Sequence, residues 1–397
     1  MHLSENVLGL EASATMAVAA LARELRAQGR DIIDLSAGEP DFRTPDFIAQ
    51  AGIAAIQDGR TRYTPPAGLP ELRQAIAEEL GRIHGRPIDP AGIVVTAGAK
   101  QALFNACFSL FGPGDRVLVP SPYWTSYPSI VRLARAETVL VPTAAERGFR
   151  LSTEDLDAAY DERVRGLILN SPSNPTGAVY PREQVEAIGR WALEHGIWVV
   201  TDEIYEHLVY DGVRATPITA AVPELADTTL VLNGVAKTYS MTGWRVGWMH
   251  GPQDVIKAAT SFQSHLCGNV SNVAQQAALA ALSGPQDAVE EMRQVFDRRR
   301  RKIVSMLSEI PGVECPTPQG AFYAYPSVKS FLGKPLRGST AQNTVELADL
   351  VLQHAEVAIV PGEAFGTPGY FRMSYALSDD DLVEGVSRLG KLLSEVA

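Results

Sequence analysis

Residues 166–202 read GLILNSPSNPTGAVYPREQVEAIGRWALEHGIWVVTD. Two short apolar runs, Gly166–Asn170 and Ile197–Thr201, bracket a turn-rich segment and a helix-patterned stretch, Pro181–His195. Runs that are apolar without alternation mark strands buried on both faces, and a helix between two of them marks a parallel crossover. The same kind of run recurs outward in both directions, at Gly92–Thr96 (GIVVT), Arg116–Pro120 (RVLVP) and Thr229–Asn233 (TLVLN). The middle of the chain therefore reads as α/β, a mostly parallel mixed sheet covered by helices, whose ligands sit beyond the carboxyl ends of the strands. The last hundred or so residues differ. A long helix pattern, Ala288 to about Glu309, leads into the strand-like GAFYAYP, VAIVP and YFRMSYA. The expected division is an N-terminal segment, 1–45, with a helix at Thr15–Gln28 that packs on the C-terminal part; a large ligand-binding domain, 46–284; and a smaller α+β domain, 285–397.

Composition narrows the classes. A hydrophobic fraction of 46% and a mean hydropathy of −0.02 supply a sizeable core without a membrane span. The net charge of −11 disfavours nucleic acid and anionic membranes as partners. Arg298–Lys302 is a basic run, read as a solvated helix face. Three cysteines, Cys107, Cys267 and Cys315, show neither metal-ligand spacing nor a disulfide framework, so no metal is expected. The N-terminus, MHLSENVLGLE, has no signal-peptide pattern. A cytoplasmic protein is the expectation.

Polar residues just past the strands carry the chemistry. Asp202 follows IWVVT directly and faces the crevice as a carboxylate able to pair with a protonated ring nitrogen; the plainer alternative is a helix N-cap. Tyr205 follows three residues on. Lys237 lies just past TLVLN, where desolvation and nearby cations lower an amine's pKa and favour Schiff-base chemistry, the alternative being a surface lysine. Arg245 follows between Gly243 and Gly247, a guanidinium suited to a phosphate with glycines that permit close approach. Gly98, Ala99 and Lys100 form a strand-to-helix turn whose free N–H groups suit an anion. In SPSNPTG the Asn174–Pro175 bond is a candidate cis peptide that directs the Asn174 amide toward the crevice. Trp124, in SPYW, is placed to stack on a flat ring, or else simply to pack.

Taken in order, GAKQ, SPYW, SPSNPTG, TDEIYEHL, NGVAKTYSMTGWRVG and FRMSYAL resemble the fold-type I, class I aminotransferases, from SAGEPDF (Ser36–Phe42) to beyond Arg372. Within that family the chain is most similar to bacterial aspartate and aspartate/glutamate–prephenate aminotransferases. The resemblance implies pyridoxal 5'-phosphate (PLP) on Lys237, which then serves as the proton-transfer base. It implies Asp202 on the ring nitrogen, Tyr205 and Asn174 on the phenolic oxygen, Trp124 on the ring face, and Gly98, Ala99 and Arg245 on the phosphate. Lys100 is also counted with the cofactor-binding residues. Tyr63, in TRYTPPAG, would reach the phosphate in a partner subunit's site, which implies a homodimer. Arg372 would hold the substrate α-carboxylate, with Gly38, Asn174 and Trp124 nearby. Lys100 would take a distal carboxylate, and Thr15 would be linked to prephenate or act only as a helix cap. The implied reaction is transamination between aspartate or glutamate and 2-oxoglutarate or oxaloacetate, prephenate included. The alternatives are an aromatic or broad-range aminotransferase, a PLP lyase, and a PLP-binding regulator that has kept the fold. A nicotinamide dehydrogenase is disfavoured, because no G-x-G-x-x-G follows an early strand. Two departures from the family pattern stand out. Gly234 replaces a phosphate-binding hydroxyl residue, and Leu266–Cys267 in SHLCGNVSN is bulkier than expected, which predicts a modified distal pocket.

Overall fold

The computed structural model describes residues 4, 6–8, 10 and 14–396. Among them, seven strands form the central sheet: β1 (Ile93–Thr96), β2 (Arg116–Ser121), β3 (Glu137–Pro142), β4 (Val164–Asn170), β5 (Trp198–Asp202), β6 (Thr229–Gly234) and β7 (Gly247–His250). Their order across the sheet is β1-β7-β6-β5-β4-β2-β3. Only β7 runs against its neighbours, pairing antiparallel with both β1 and β6. The five apolar runs of the sequence are β1, β2, β4, β5 and β6, and β5 is buried at every position but its first. Two strands are additions. Edge strand β3 is largely exposed, so its burial does not produce the unbroken apolar pattern, and β7 begins inside the glycine-bearing Arg245 segment.

Helices cover both faces. One apolar cluster gathers Leu103, Ala106, Tyr127 and Val131 against Val117 and Leu232. Others set Leu72, Ile76 and Ala277 against Val95 and Trp248, and Val185 and Ile188 against Leu167 and Val199. A separate core joins Ile33 and Leu35 to Phe296, Ile303, Val357, Phe371, Val386 and Leu389. Ile33–Asp34 pairs in parallel with Val357–Ala358, and Ala22 on helix Ala14–Ala27 packs with Leu352 and Ala358. The N-terminal segment thus completes the C-terminal core.

The basic run departs from expectation. On helix Asp287–Ser308, Arg299 and Arg300 are buried, at 7% and 1% exposed. Arg300 pairs with Asp211 at 2.7 Å and Asp297 at 2.5 Å, and Arg299 pairs with Asp41 and Asp379 at 2.8 Å. A solvated face describes Arg298, Arg301 and Lys302; Arg299 and Arg300 are buried because each has two carboxylates to compensate its desolvation.

Candidate active site

The carboxyl ends of β1, β2, β4, β5 and β6 lie on one edge of the sheet, and antiparallel β7 brings its amino end, preceded by Arg245, to the same edge. Asp202 ends β5, only 4% exposed. One of its oxygens accepts from the Tyr127 phenol at 2.9 Å and the other from the Ile204 N–H at 3.2 Å. It caps a turn, not an α-helix. Burial pushes its carboxyl up to about 6, overriding both hydrogen bonds, and Glu203 adds to the rise.

That shift has a measurable consequence in the ligand-free protein. Between the unfolded value near 4 and the folded value near 6, the native state binds more protons than the unfolded chain, so stability falls as pH rises through that window. Asp202→Asn is therefore expected to stabilise the ligand-free protein by roughly 2–3 kcal/mol at pH 8, a gain that shrinks toward pH 4. Urea denaturation at several pH values reads this directly. A gain that stays constant with pH contradicts a buried, ionised Asp202.

Past β6, the short helix Val235–Thr238 carries Lys237, partly buried, whose amine donates to the Gly38 carbonyl. Burial draws this amine down to about 8; Arg372 and Arg245 act in the same direction, and Glu39 and Asp202 oppose them. Gly38 lies in the Ser36–Phe42 segment, which is fastened by Thr242 to Glu39 at 2.7 Å and by Arg299 to Asp41. Tyr205 is buried, with its hydroxyl 3.0 Å from that of Tyr323.

Three turns stack at the cationic end. Gly98, at φ 79°, caps helix Ala99–Leu110, and a Cβ there would lie 2.4 Å from Arg245 Nη2. Arg245, at φ 56°, donates to the Thr242 carbonyl at 2.8 Å and to that of Ala97 at 3.2 Å. A Cβ on Gly247 would come within 2.6 Å of the Ala99 nitrogen. A Cβ on Gly234 would fall 2.8 Å from the Gly247 Cα, so close packing, not only phosphate contact, decides the residue at 234.

Arg372 is 2% exposed and lies beneath the rings of Tyr323 (4.5 Å) and Phe365 (5.1 Å). It donates to Asn174 Oδ1 at 3.2 Å and to the Ser36 carbonyl at 2.7 Å, while its Nε has no partner. Among the described residues no carboxylate forms an ion pair with it. A buried guanidinium held only by neutral acceptors is a receptor for an anion. Asn174 is held by its own N–H to Asn170 Oδ1 at 2.8 Å, and Asn170 donates to the Asp202 carbonyl at 2.9 Å. The Asn174–Pro175 bond is cis, as are Ser121–Pro122 and Ser171–Pro172.

Lys100 stands 5.0 Å over the Trp124 ring, which meets Tyr127 edge-on. Thr15 is partly buried in the first turn of helix Ala14–Ala27. Tyr63 stands apart, 95% exposed on the chain surface. Cys267 accepts from Gln101 at 3.0 Å and, with Arg245, Ala97 and Asn269, lines an open cavity of about 810 Å³; Leu266 is 52% exposed. Sequence reasoning missed Tyr127, Tyr323, Asn170 and Glu39. Asn170 ends a recognisable strand and Tyr127 follows Trp124 by three, but their partners are distant in sequence. No group of residues suited to hold a metal occurs among the described residues, nor any helix long and apolar enough to cross a membrane.

Comparison with known proteins bears on this arrangement. Residues 30–389 match the family described as aminotransferase class I and II. The chain is 60% identical over 395 residues to an aspartate aminotransferase of Streptomyces avermitilis, covering 99% of this chain and 97% of that protein. It is 46% identical over 389 residues to an aspartate/prephenate aminotransferase of Cereibacter sphaeroides, covering 98% and 97%. The crystal structure of the aspartate aminotransferase from Rhizobium meliloti superposes with a TM-score of 0.96 at 40% identity, covering 100% of both chains. That of Thermus thermophilus, solved with maleate, gives 0.93 at 42% identity, covering 99% of this chain and all of the other.

Proposed function

The chain belongs to the class I and II aminotransferase family, and from that premise we propose that it is a PLP-dependent aspartate aminotransferase. It exchanges the amino group between aspartate or glutamate and 2-oxoglutarate or oxaloacetate. Prephenate falls within the same reading, supported by relatives named aspartate/prephenate aminotransferase. The observation that carries the proposal is the convergence of a buried carboxylate, a low-pKa lysine and two guanidiniums held by neutral acceptors at one sheet edge.

The residues present fit the cofactor. Gly98 and Gly247, where a Cβ would strike Arg245 or the Ala99 backbone, leave a cationic cradle at a helix N-terminus that suits a phosphate. Asp202, carrying a charge that burial disfavours, suits a protonated ring nitrogen, and Lys237 suits a carbonyl carbon. Asn174 and Tyr205 would hold the phenolic oxygen and Trp124 the ring face, with Lys100 at the rim. Bound there, PLP supplies an electron sink for the pair released when the substrate Cα–H bond breaks.

The chain's own residues do the rest. Arg372 fixes the α-carboxylate as a fork, beside Gly38, so the Cα–H is presented in one orientation. Lys237 Nζ would take the proton from that Cα and pass it to the cofactor's C4′, the shift that lets the amino group leave the substrate as keto acid is formed, and would move it the opposite way in the second half-reaction. With a pKa of about 8, close to working pH, the amine is suited to both directions. Lys100 would receive the distal carboxylate, which favours acidic substrates, and Thr15 would approach the larger ones. Tyr63, 95% exposed on its own chain, would complete the phosphate site of a second copy, so the working unit is a homodimer in the cytoplasm. The reading takes residues 46–284 as the cofactor-binding domain and 1–45 with 285–397 as the smaller unit, supported by their separate cores.

Adding L-aspartate to the purified, PLP-loaded protein is expected to abolish the visible band of lysine-linked cofactor, and 2-oxoglutarate to restore it. A band that ignores aspartate but responds to aromatic amino acids moves the substrate class. Release of ammonia or pyruvate without a keto acid turns the reading to a lyase.

A further inference from the structure

The backbone ladder between β5 and β6 ends at the pair Asp202–Leu232, with one further bond from the Glu203 N–H to the Leu232 carbonyl at 2.9 Å. Beyond it the two strands diverge into separate turns, one bearing Tyr205 and the other Lys237. A side-chain bridge spans the gap. Asn233 Nδ2 donates to Glu206 Oε1 at 2.6 Å, and Asn233 Oδ1 accepts from the Gly234 N–H at 2.7 Å. The Gly234 N–H fixes which way the amide faces, so Asn233 must present its donor to Glu206. Asn233 is 2% exposed and the Glu206 side chain 8%. His207 Nε2 stands 3.5 Å from the same Glu206 carboxylate and 3.2 Å from Glu79, which pairs with Arg82 at 2.6 Å.

From the opposite side Gly234 meets Gly247 so closely that no Cβ fits between them. The turn leading to Lys237 is thus pinned between a packed glycine contact and the Asn233 amide. We propose that Glu206 and Asn233 are positioning residues: their hydrogen bond registers the Lys237 turn against the Asp202–Tyr205 turn and sets where the lysine amine stands. The inference rests on the assignment of Lys237 and Asp202 to the cofactor. It assigns no contact with substrate or cofactor to either residue. A misplacement of about 1 Å is enough to slow a step that depends on alignment, and a buried bridge between two turns is the means to prevent one.

The test uses the full-length protein freed of cofactor and then supplied with PLP, the covalent link at Lys237 being trapped by borohydride and read by mass. Glu206→Leu is expected to slow attachment about tenfold or more and to lower kcat with KM within about twofold of the parent. Glu206→Gln, which keeps the acceptor for Asn233, is expected to attach at the parent's rate. Should Glu206→Leu fail to fold, Asn233→Asp supplies the second arm, because it sets two carboxylates against each other. Combining it with Glu206→Gln restores a donor–acceptor pair of reversed polarity and is expected to recover attachment relative to Asn233→Asp alone. Attachment at the parent's rate in Glu206→Leu, or no recovery in the double variant, overturns the proposal. If the parent itself is not trapped at Lys237, the lysine assignment fails instead.

Discussion

Lys237→Ala is expected to reduce turnover by at least about 10⁴-fold while the protein still binds PLP without a covalent link. The size follows from the double use of one amine. In the proposed reaction Lys237 would both hold the cofactor and move the substrate's Cα proton, and Lys100 lies apart at the rim, over Trp124. The remaining anchors, Arg245 with the Gly98–Ala99 turn and Asp202, do not involve Lys237 and keep their contacts. Burial lowers this lysine's pKa, so its charged form is a cost to the ligand-free fold, and the variant is expected to melt no lower than the parent. Single-turnover rates with L-aspartate, beside a melting curve, separate the two effects. Near-normal turnover in a well-folded variant removes Lys237 from the chemistry.

Arg372→Leu is expected to lower kcat/KM by about 10³-fold for amino acid and keto acid alike, since both carry the carboxylate it would bind. Losing one partner of a buried charged pair costs roughly 2–5 kcal/mol, which corresponds to that range. The free protein holds the guanidinium with Asn174, the Ser36 carbonyl and two aromatic rings, and leaves Nε without a partner. Arg372→Lys retains charge but not the planar fork, so it is expected to recover only part of the loss. Equal losses for both half-reactions support a shared carboxylate site. Unchanged substrate affinity transfers that role to another residue.

Of the residues proposed for these roles, Asp202, Lys237 and Gly98 are legible because each lies one to a few positions past a strand that the apolar pattern reveals, whereas Arg372 lies within the strand Phe371–Ser374 and is picked out only by the resemblance of FRMSYAL. Asp202 ends IWVVTD, Lys237 follows TLVLNG, and Gly98 follows GIVVT. A buried strand shows itself in one dimension, and the turn after it inherits that certainty. Arg299 and Arg300 show the converse. Their run looks solvated because the carboxylates that compensate them, Asp41, Asp211 and Asp379, are some 80 to 260 positions away, and Asp297 lies on the same helix. Tyr127 against Asp202, and Asn233 against Glu206, are likewise pairings that no local pattern carries.

By itself, then, the sequence determined the layered α/β architecture and the sheet edge on which the proposed lysine and carboxylate lie, because strand burial and the residue that follows a strand are local properties. The tertiary structure alone decided that β7 runs antiparallel and brings Arg245 beside Gly98, and that residue 234 must be glycine against Gly247. It likewise decided that Arg372 is buried and, among the described residues, pairs with no carboxylate, and that Asp202 and Lys237 have pKa values drawn toward neutrality. Those outcomes depend on distances between remote segments and on how far each charge is removed from water, quantities that exist only once the chain has folded.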